Sequence, residues 1–114
     1  MRLVLSLALA PFLMAQVQRP VETFQTKAGE LKITPIRHAS MMIEAGGKVL
    51  HIDPWSQANF DGLPKADLIV ITDIHGDHMD PKAIEVVRKP GTQIIAPAAV
   101  AKTVTDATVM NNGE

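Results

Sequence analysis

The stretch that most constrains this chain is residues 72–78, a Thr-Asp-Ile-His-Gly-Asp-His loop between two regular elements. It follows residues 67–71, whose length and apolar content are typical of a buried strand. After the loop, Asp80 precedes a proline, which indicates an N-cap and a first helical residue, and residues 83–89 continue as a short helix. This order places the loop beyond the carboxyl end of a strand, where active sites of layered α/β proteins tend to lie.

The loop carries side chains that bind transition metals. Asp73, His75 and Asp77 alternate, which argues against a helical face, where ligands recur every three or four residues. An extended segment would project the three to one side, and a turn at Gly76 would bring His78 to them. Imidazole and carboxylate ligands together suit zinc, iron or manganese, and the absence of cysteine excludes a thiolate zinc site. The alternative is a polar loop whose aspartates and histidines act as turn and capping residues.

The remaining pattern predicts an α/β fold. Two alternating segments on either side of Gly46-Gly47 predict a β-hairpin. Pro35, inside the first predicted strand, indicates a sheet edge or a strand end. A strand that follows the predicted helix completes a βαβ unit. The predicted strands are residues 31–36, 40–44, 48–53, 67–72 and 93–96, and a further short helix is predicted within residues 97–104.

The loop and the segments before it resemble a known family. Residues 72–78 are similar to the T-H-x-H-x-D-H signature of the metallo-β-lactamase-fold hydrolases. Residues 33–44 and 46–54 resemble the opening strands of the branch that includes the ascorbate-phosphate lactonase-like enzymes. The resemblance implies that residues 30–114 form the N-terminal half of a four-layer αββα sandwich, with residues 16–29 as a connector.

The resemblance also implies roles for individual loop residues. His75 corresponds to a ligand of a first metal, and Asp77 and His78 correspond to the pair that binds a second metal. Asp77 is also the expected catalytic residue, which would orient the attacking hydroxide. Asp73 stands where the family usually has histidine, and as a carboxylate ligand it would shift the preference of the first site from zinc toward manganese or iron. We expect zinc, as one or two ions.

Five residues outside the loop complete the predicted surroundings of the site. By the resemblance, Asp53 braces the ligand loop and His38 lies in or beside the pocket. His51 shares a strand face with Asp53, but a hydrogen bond to a neighbouring strand is the favoured interpretation for it. Trp55 and Phe60 either line a substrate pocket or cap the core, and capping is favoured.

Two classes of function follow from this pattern. The first is metal-dependent hydrolysis of a small-molecule ester, lactone or phosphodiester, because a bound metal lowers the pKa of water toward about 7. The second is a non-catalytic metal-binding or interaction module, or an inactive truncated half-domain, because no histidine follows His78 and the resemblance implies further ligands downstream. The 11 basic and 12 acidic residues form no basic stripe, so charge does not suggest nucleic-acid binding. The sequence leaves the substrate and the oligomeric state open.

The first fifteen residues predict export. Met1-Arg2 is followed by an apolar run that ends at Ala15, before polar Gln16, which is typical of a secretory signal peptide. The run is too short for a comfortable transmembrane helix. The alternatives are a buried N-terminal helix and an uncleaved anchor. We expect a periplasmic or secreted bacterial protein with no membrane association beyond the export signal.

Overall fold

The computed structural model describes residues 17–114, so the predicted signal peptide, residues 1–15, lies outside the described residues. Seven strands of the described part form a mixed sheet whose spatial order is the chain order. Among residues 17–114, no helix has the length and apolar character needed to cross a membrane. The strands are β1 (Glu22–Thr26), β2 (Gly29–Arg37), β3 (Ser40–Ala45), β4 (Lys48–Ile52), β5 (Leu68–Val70), β6 (Gln93–Ala96) and β7 (Thr108–Val109), and the helices are α1 (Pro81–Val87) and α2 (Ala98–Ala101).

The first four strands form an antiparallel meander. The prediction of a connector over residues 16–29 was wrong in part, because β1 lies within it and pairs with β2. All five residues of β1 are exposed, so no alternation of apolar and polar side chains marks this strand in the sequence. The predicted hairpin between β3 and β4 is confirmed, with positive φ values of 56° at Gly46 and 73° at Gly47.

Pro35 lies inside β2, which β1 and β3 flank, so the prediction of a sheet edge or a strand end holds only locally. The pairing of β1 with β2 ends at Ile33, so β1 does not cover the stretch of β2 that contains the proline. A shift of register between Pro35 and Arg37 also interrupts the ladder with β3. The missing N–H of the proline therefore removes no hydrogen bond to β1.

Strands β4 to β7 are parallel, and α1 connects β5 to β6 as the predicted βαβ unit. Asp80 is the N-cap of α1, since its carboxylate accepts a hydrogen bond from the Lys82 backbone N–H at 3.0 Å. The parallel strands and both helices enclose the core. Because parallel strands end at the same edge of a sheet, the segments that follow β4 and β5 lie side by side there. The buried core residues are Ala66, Ile69, Ile71, Ile84, Val87, Ile94, Ala96, Val100 and Val104.

Candidate metal centre

His38 lies at the tip of the β2–β3 hairpin, in a two-residue turn closed by the Arg37–Ser40 pair. Its φ of 54° is uncommon for a residue with a side chain, although histidine tolerates it better than most. From the tip, His38 Nε2 lies 2.7 Å from Asp77 Oδ2. The hairpin thus delivers an imidazole to the ligand loop from a distant part of the chain.

Asp53 ties the end of β4 to the ligand loop. It has a φ of 43° and is 2% exposed. Its Oδ1 accepts a hydrogen bond from the Thr72 backbone N–H at 2.7 Å, and its Oδ2 accepts one from Thr72 Oγ1 at 2.5 Å. The Ser40 hydroxyl donates to the Asp53 carbonyl at 2.6 Å, which anchors the same residue to β3. These bonds offset the backbone strain of a positive φ, which costs about 1–3 kcal/mol.

Asp53 also fixes the ring of His78. His78 Nδ1 lies 2.8 Å from Asp53 Oδ2, so this nitrogen carries the proton and donates it to the carboxylate. The opposite nitrogen, Nε2, is then an acceptor and lies 3.8 Å from Asp77 Oδ2. The hydrogen bond to Asp53 raises the pKa of His78. A carboxylate on one ring nitrogen, with the other facing a ligand position, is the usual support of a metal-binding histidine.

Asp77 lies between the two histidines. Its pKa is lowered, first by a hydrogen bond from its own backbone N–H and then by His38, against the opposing effect of burial. His38, Asp77 and His78 offer three ligand atoms that all lie within 4.8 Å of one another. Two imidazole nitrogens and one carboxylate oxygen suit zinc, manganese or iron. The residues therefore fit a metal ion.

The structure does not bring Asp73 and His75 into this group. They face each other instead, with His75 Nδ1 3.0 Å from Asp73 Oδ1 and side chains that are 73% and 47% exposed, respectively. A hydrogen bond from the Ile74 backbone N–H is the main cause of the lowered pKa of Asp73. Of the four predicted loop ligands, Asp77 and His78 meet, and Asp73 and His75 form a separate exposed pair.

The loop turns at Gly76, as predicted. The His75 carbonyl accepts hydrogen bonds from the backbone N–H groups of His78 at 2.9 Å and Met79 at 2.8 Å. Gly76 is not among the glycines with positive φ, so the turn there does not use the backbone conformation that only glycine adopts readily. The positive φ values at this site belong to His38 and Asp53 instead.

Comparison with known proteins agrees with this geometry. Residues 32–113 match the beta-lactamase superfamily domain. The chain belongs to the beta-lactamase superfamily. It is 39% identical, over 94 residues, to a UPF0173 metal-dependent hydrolase of Thermodesulfovibrio yellowstonii. The alignment covers 75% of this chain and 33% of that relative. The predicted metallo-β-lactamase fold is thereby confirmed.

Two solved structures support the same superfamily fold. A protein of Parabacteroides distasonis, described as a candidate metal-dependent hydrolase, has 42% identity and a TM-score of 0.80, over 85% of this chain and 45% of that one. Igni18, a metallo hydrolase of the archaeon Ignicoccus hospitalis, has 26% identity and a TM-score of 0.61, over 74% and 41% of the two chains. The chain thus spans about a third of the curated relative and less than half of each solved one. This agrees with the prediction of half a sandwich.

Of the other residues singled out in the sequence, two lie in the interior and one lies beside the site. His51 is 1% exposed, and its Nε2 lies 2.9 Å from the Pro64 carbonyl, in the long connector and not in a neighbouring strand as expected. Phe60 packs against the core, as favoured. Trp55 instead lies beside the site, with its ring centroid 5.7 Å from that of His38. Beyond the presence of an aromatic residue in a loop, nothing in the sequence indicated this contact.

Proposed function

We propose that this chain provides part of the active site of a metal-dependent hydrolase acting on a small-molecule ester, lactone or phosphodiester. The observation that carries the proposal is the ring of His78, which buried Asp53 holds at Nδ1 while Nε2 faces Asp77. His38 adds a second imidazole to the group. Relatives that are named metal-dependent hydrolases support the class of reaction.

The residues of the group have distinct roles in this proposal. A bound zinc ion, or manganese or iron in its place, would lower the pKa of water and polarise the electrophile. His38, Asp77 and His78 would hold that ion. Asp77, which is ionised at neutral pH like any aspartate of ordinary or lowered pKa, would accept a hydrogen bond from the attacking water and orient it. Asp53 keeps the His78 proton on Nδ1, which leaves Nε2 free for a ligand bond. The exposed Asp73–His75 pair offers ligands for a second ion.

Metal binding is the first test. Calorimetric titration with Zn²⁺ and Mn²⁺ should show that His78→Ala and Asp77→Ala each weaken binding at least about tenfold, since each removes one of three ligands. His51→Gln, a buried histidine outside the group, is the matched control and should leave the affinity unchanged. Equal affinities in all four proteins would overturn the assignment of this group.

Hydrolysis is the second test. Metal-loaded protein is assayed on 4-nitrophenyl acetate, a lactone and bis(4-nitrophenyl) phosphate, with Asp77→Ala as the comparison. We expect metal-dependent turnover of at least one substrate and its loss in Asp77→Ala. Tight metal binding without turnover on a broad panel would favour the second candidate.

The second candidate is a non-catalytic metal-binding or interaction module. It is favoured by the small size of the ligand group, which offers three ligand atoms among residues 17–114. Size-exclusion chromatography with and without Zn²⁺ separates the two candidates when combined with the assay. A stable species that binds metal and lacks turnover supports the module, whereas turnover removes it.

We further propose that the protein is exported, on the strength of the basic start and apolar run before Gln16. Expression in a bacterial host followed by fractionation and mass spectrometry tests this. The expected product is periplasmic and begins at Gln16. A cytoplasmic product that retains Met1-Arg2 would contradict the proposal.

A further inference from the structure

An arginine and the single tryptophan of the chain form a pair at the rim of the metal centre. The Arg37 guanidinium carbon lies 5.8 Å from the centroid of the Trp55 ring, within the range of a cation–π contact. The same ring lies 5.7 Å from the imidazole of His38 at an interplanar angle of 55°. Arg37 directly precedes His38, so the hairpin tip carries both the positive charge and a proposed metal ligand.

The guanidinium is available to a ligand. Arg37 is exposed, and its guanidinium has no hydrogen-bond or ion-pair partner within residues 17–114. By contrast, Lys32 of the same strand is 3.0 Å from Glu30. Contact with an aromatic face leaves the N–H groups at the edge of a guanidinium free, and these form a planar fork that matches carboxylate and phosphate oxygens.

The negative charge of the site suggests a role for the positive charge of Arg37 at its rim. The carboxylates of Asp53 and Asp77 both lie in the site, each within hydrogen-bond distance of an imidazole. An anionic substrate would be repelled by these carboxylates unless a fixed positive charge received its anionic end. Arg37 is in place to do this, and Trp55 holds it there.

We propose that Arg37 and Trp55 form a subsite for an oxyanionic group, a carboxylate or a phosphate, that is separate from the bond being cleaved. The identity of that bond rests on the proposed function, but binding at the subsite does not require a metal. The substrate class is then a small ester or lactone that carries its own negative charge, with the uncharged reacting group directed to His38, Asp77 and His78.

Trp55 is the only tryptophan, so its fluorescence reports on the subsite directly. Protein freed of metal by chelation is titrated with glutarate, with methylphosphonate and with neutral dimethyl glutarate. We expect a saturable change with at least one anion and none with the neutral ester, and the two anions distinguish a carboxylate from a phosphate. Arg37→Gln should weaken anion binding about tenfold or more, as expected for loss of charge-assisted hydrogen bonds.

Two control variants sharpen this result. Lys32→Gln removes one positive charge from the same strand and should bind the anion like the parent protein. Arg37→Lys keeps the charge without the planar fork and should bind with intermediate affinity. Equal anion binding by Arg37→Gln and the parent protein, or the same response to dimethyl glutarate, would overturn the proposal.

A kinetic test on the metal-loaded protein completes the design. Mono-4-nitrophenyl glutarate and 4-nitrophenyl butyrate share a leaving group and differ in charge. Arg37→Gln should raise KM for the anionic ester about tenfold with little change in kcat, and should leave the neutral ester unaffected. Equal effects on both esters would overturn the subsite. Absence of turnover from every protein would contradict the proposed hydrolysis and would leave the result of the fluorescence titration standing.

Discussion

At the residue scale, the site depends on two residues whose backbone adopts a conformation that is common only for glycine. His38 and Asp53 both have positive φ, and each occupies the end of a strand or the tip of a hairpin from which its side chain reaches the ligand loop. Aspartate and histidine are among the residues that tolerate this conformation best. The strain is therefore placed where it positions a functional group, as is common at functional sites.

Asp53→Asn tests the control of the His78 tautomer. The amide can still accept from the Thr72 N–H, but its NH₂ group can face Nδ1 of His78 and move the ring proton to Nε2, the proposed ligand atom. We expect Zn²⁺ affinity to fall about 10- to 100-fold by calorimetry. Asp61→Asn, an exposed carboxylate outside the site, is the control. Unchanged affinity in Asp53→Asn would show that Asp53 does not tune the ligand.

His51 should make stability depend on pH. Burial lowers its pKa below the ordinary value of 6.5, so the folded state binds this proton less readily than the unfolded state does. Stability from this group is therefore fully present above about pH 6.5 and is lost as pH falls through the lower pKa of the folded state. We expect the free energy of unfolding, measured in urea, to fall more between pH 7.5 and pH 5 for the parent protein than for His51→Gln. Parallel pH profiles of the two proteins would contradict this role.

At the element scale, one cap holds both a helix and the loop that crosses the site. Asp80 accepts from the Lys82 N–H at the start of α1, and its other oxygen accepts from the Ser56 N–H at 2.8 Å. Burial alone would raise the pKa of Asp80, but the hydrogen bonds from Ser56 and from the first turn of α1 lower it. The sequence identified the cap, because an aspartate before a proline is a local signal. It missed the bond to Ser56, because that bond depends on how the connector folds back.

Asp80→Ala should cost more than a simple cap. Loss of an N-cap costs about 1 kcal/mol, and loss of the bond to Ser56 adds about 1 kcal/mol, so we expect a loss of about 2 kcal/mol in the free energy of unfolding. Lys82→Ala, at an exposed position of the same turn, should change stability by less than about 0.5 kcal/mol. Urea denaturation at pH 7.5 measures both. A loss no larger than that of the control would show that neither bond stabilises the protein.

At the scale of the whole molecule, the buried apolar core is concentrated in the parallel half of the sheet. The core cluster lies among β5, β6 and the two helices, whereas β1 is exposed along its length. The antiparallel strands β2 and β3 nevertheless end in the hairpin tip that carries His38. The site therefore joins a well-packed half of the sheet to a more exposed one.

Ile69→Ala tests that distribution. Ile69 is fully buried at the centre of β5, so its truncation leaves a cavity and should cost about 2–5 kcal/mol. Phe24→Ala, on β1 in the antiparallel half and 49% exposed, should cost less than about 1 kcal/mol. Urea denaturation of the two variants gives the comparison. Similar losses would mean that the parallel half does not hold the main core.

Local signals in the sequence determined the strand, ligand loop and helix around residues 72–78, the βαβ unit and the Gly46-Gly47 hairpin. These features depend on periodicity and turn chemistry between near neighbours, which a sequence states directly. The motif also carried the superfamily resemblance. Strand β1 was not predicted, because a fully exposed strand shows no alternation of apolar and polar residues.

Only the tertiary structure decided which ligands meet. Asp77 lies beside His38, 39 residues earlier in the chain, and not beside His75, two residues away. The reason is that the register of β2, β3 and β4 and the positive φ of His38 set where the hairpin tip lies. The sequence shows which side chains are neighbours within the loop. Pairing between strands that are distant in the sequence determines which ligand atoms meet in space.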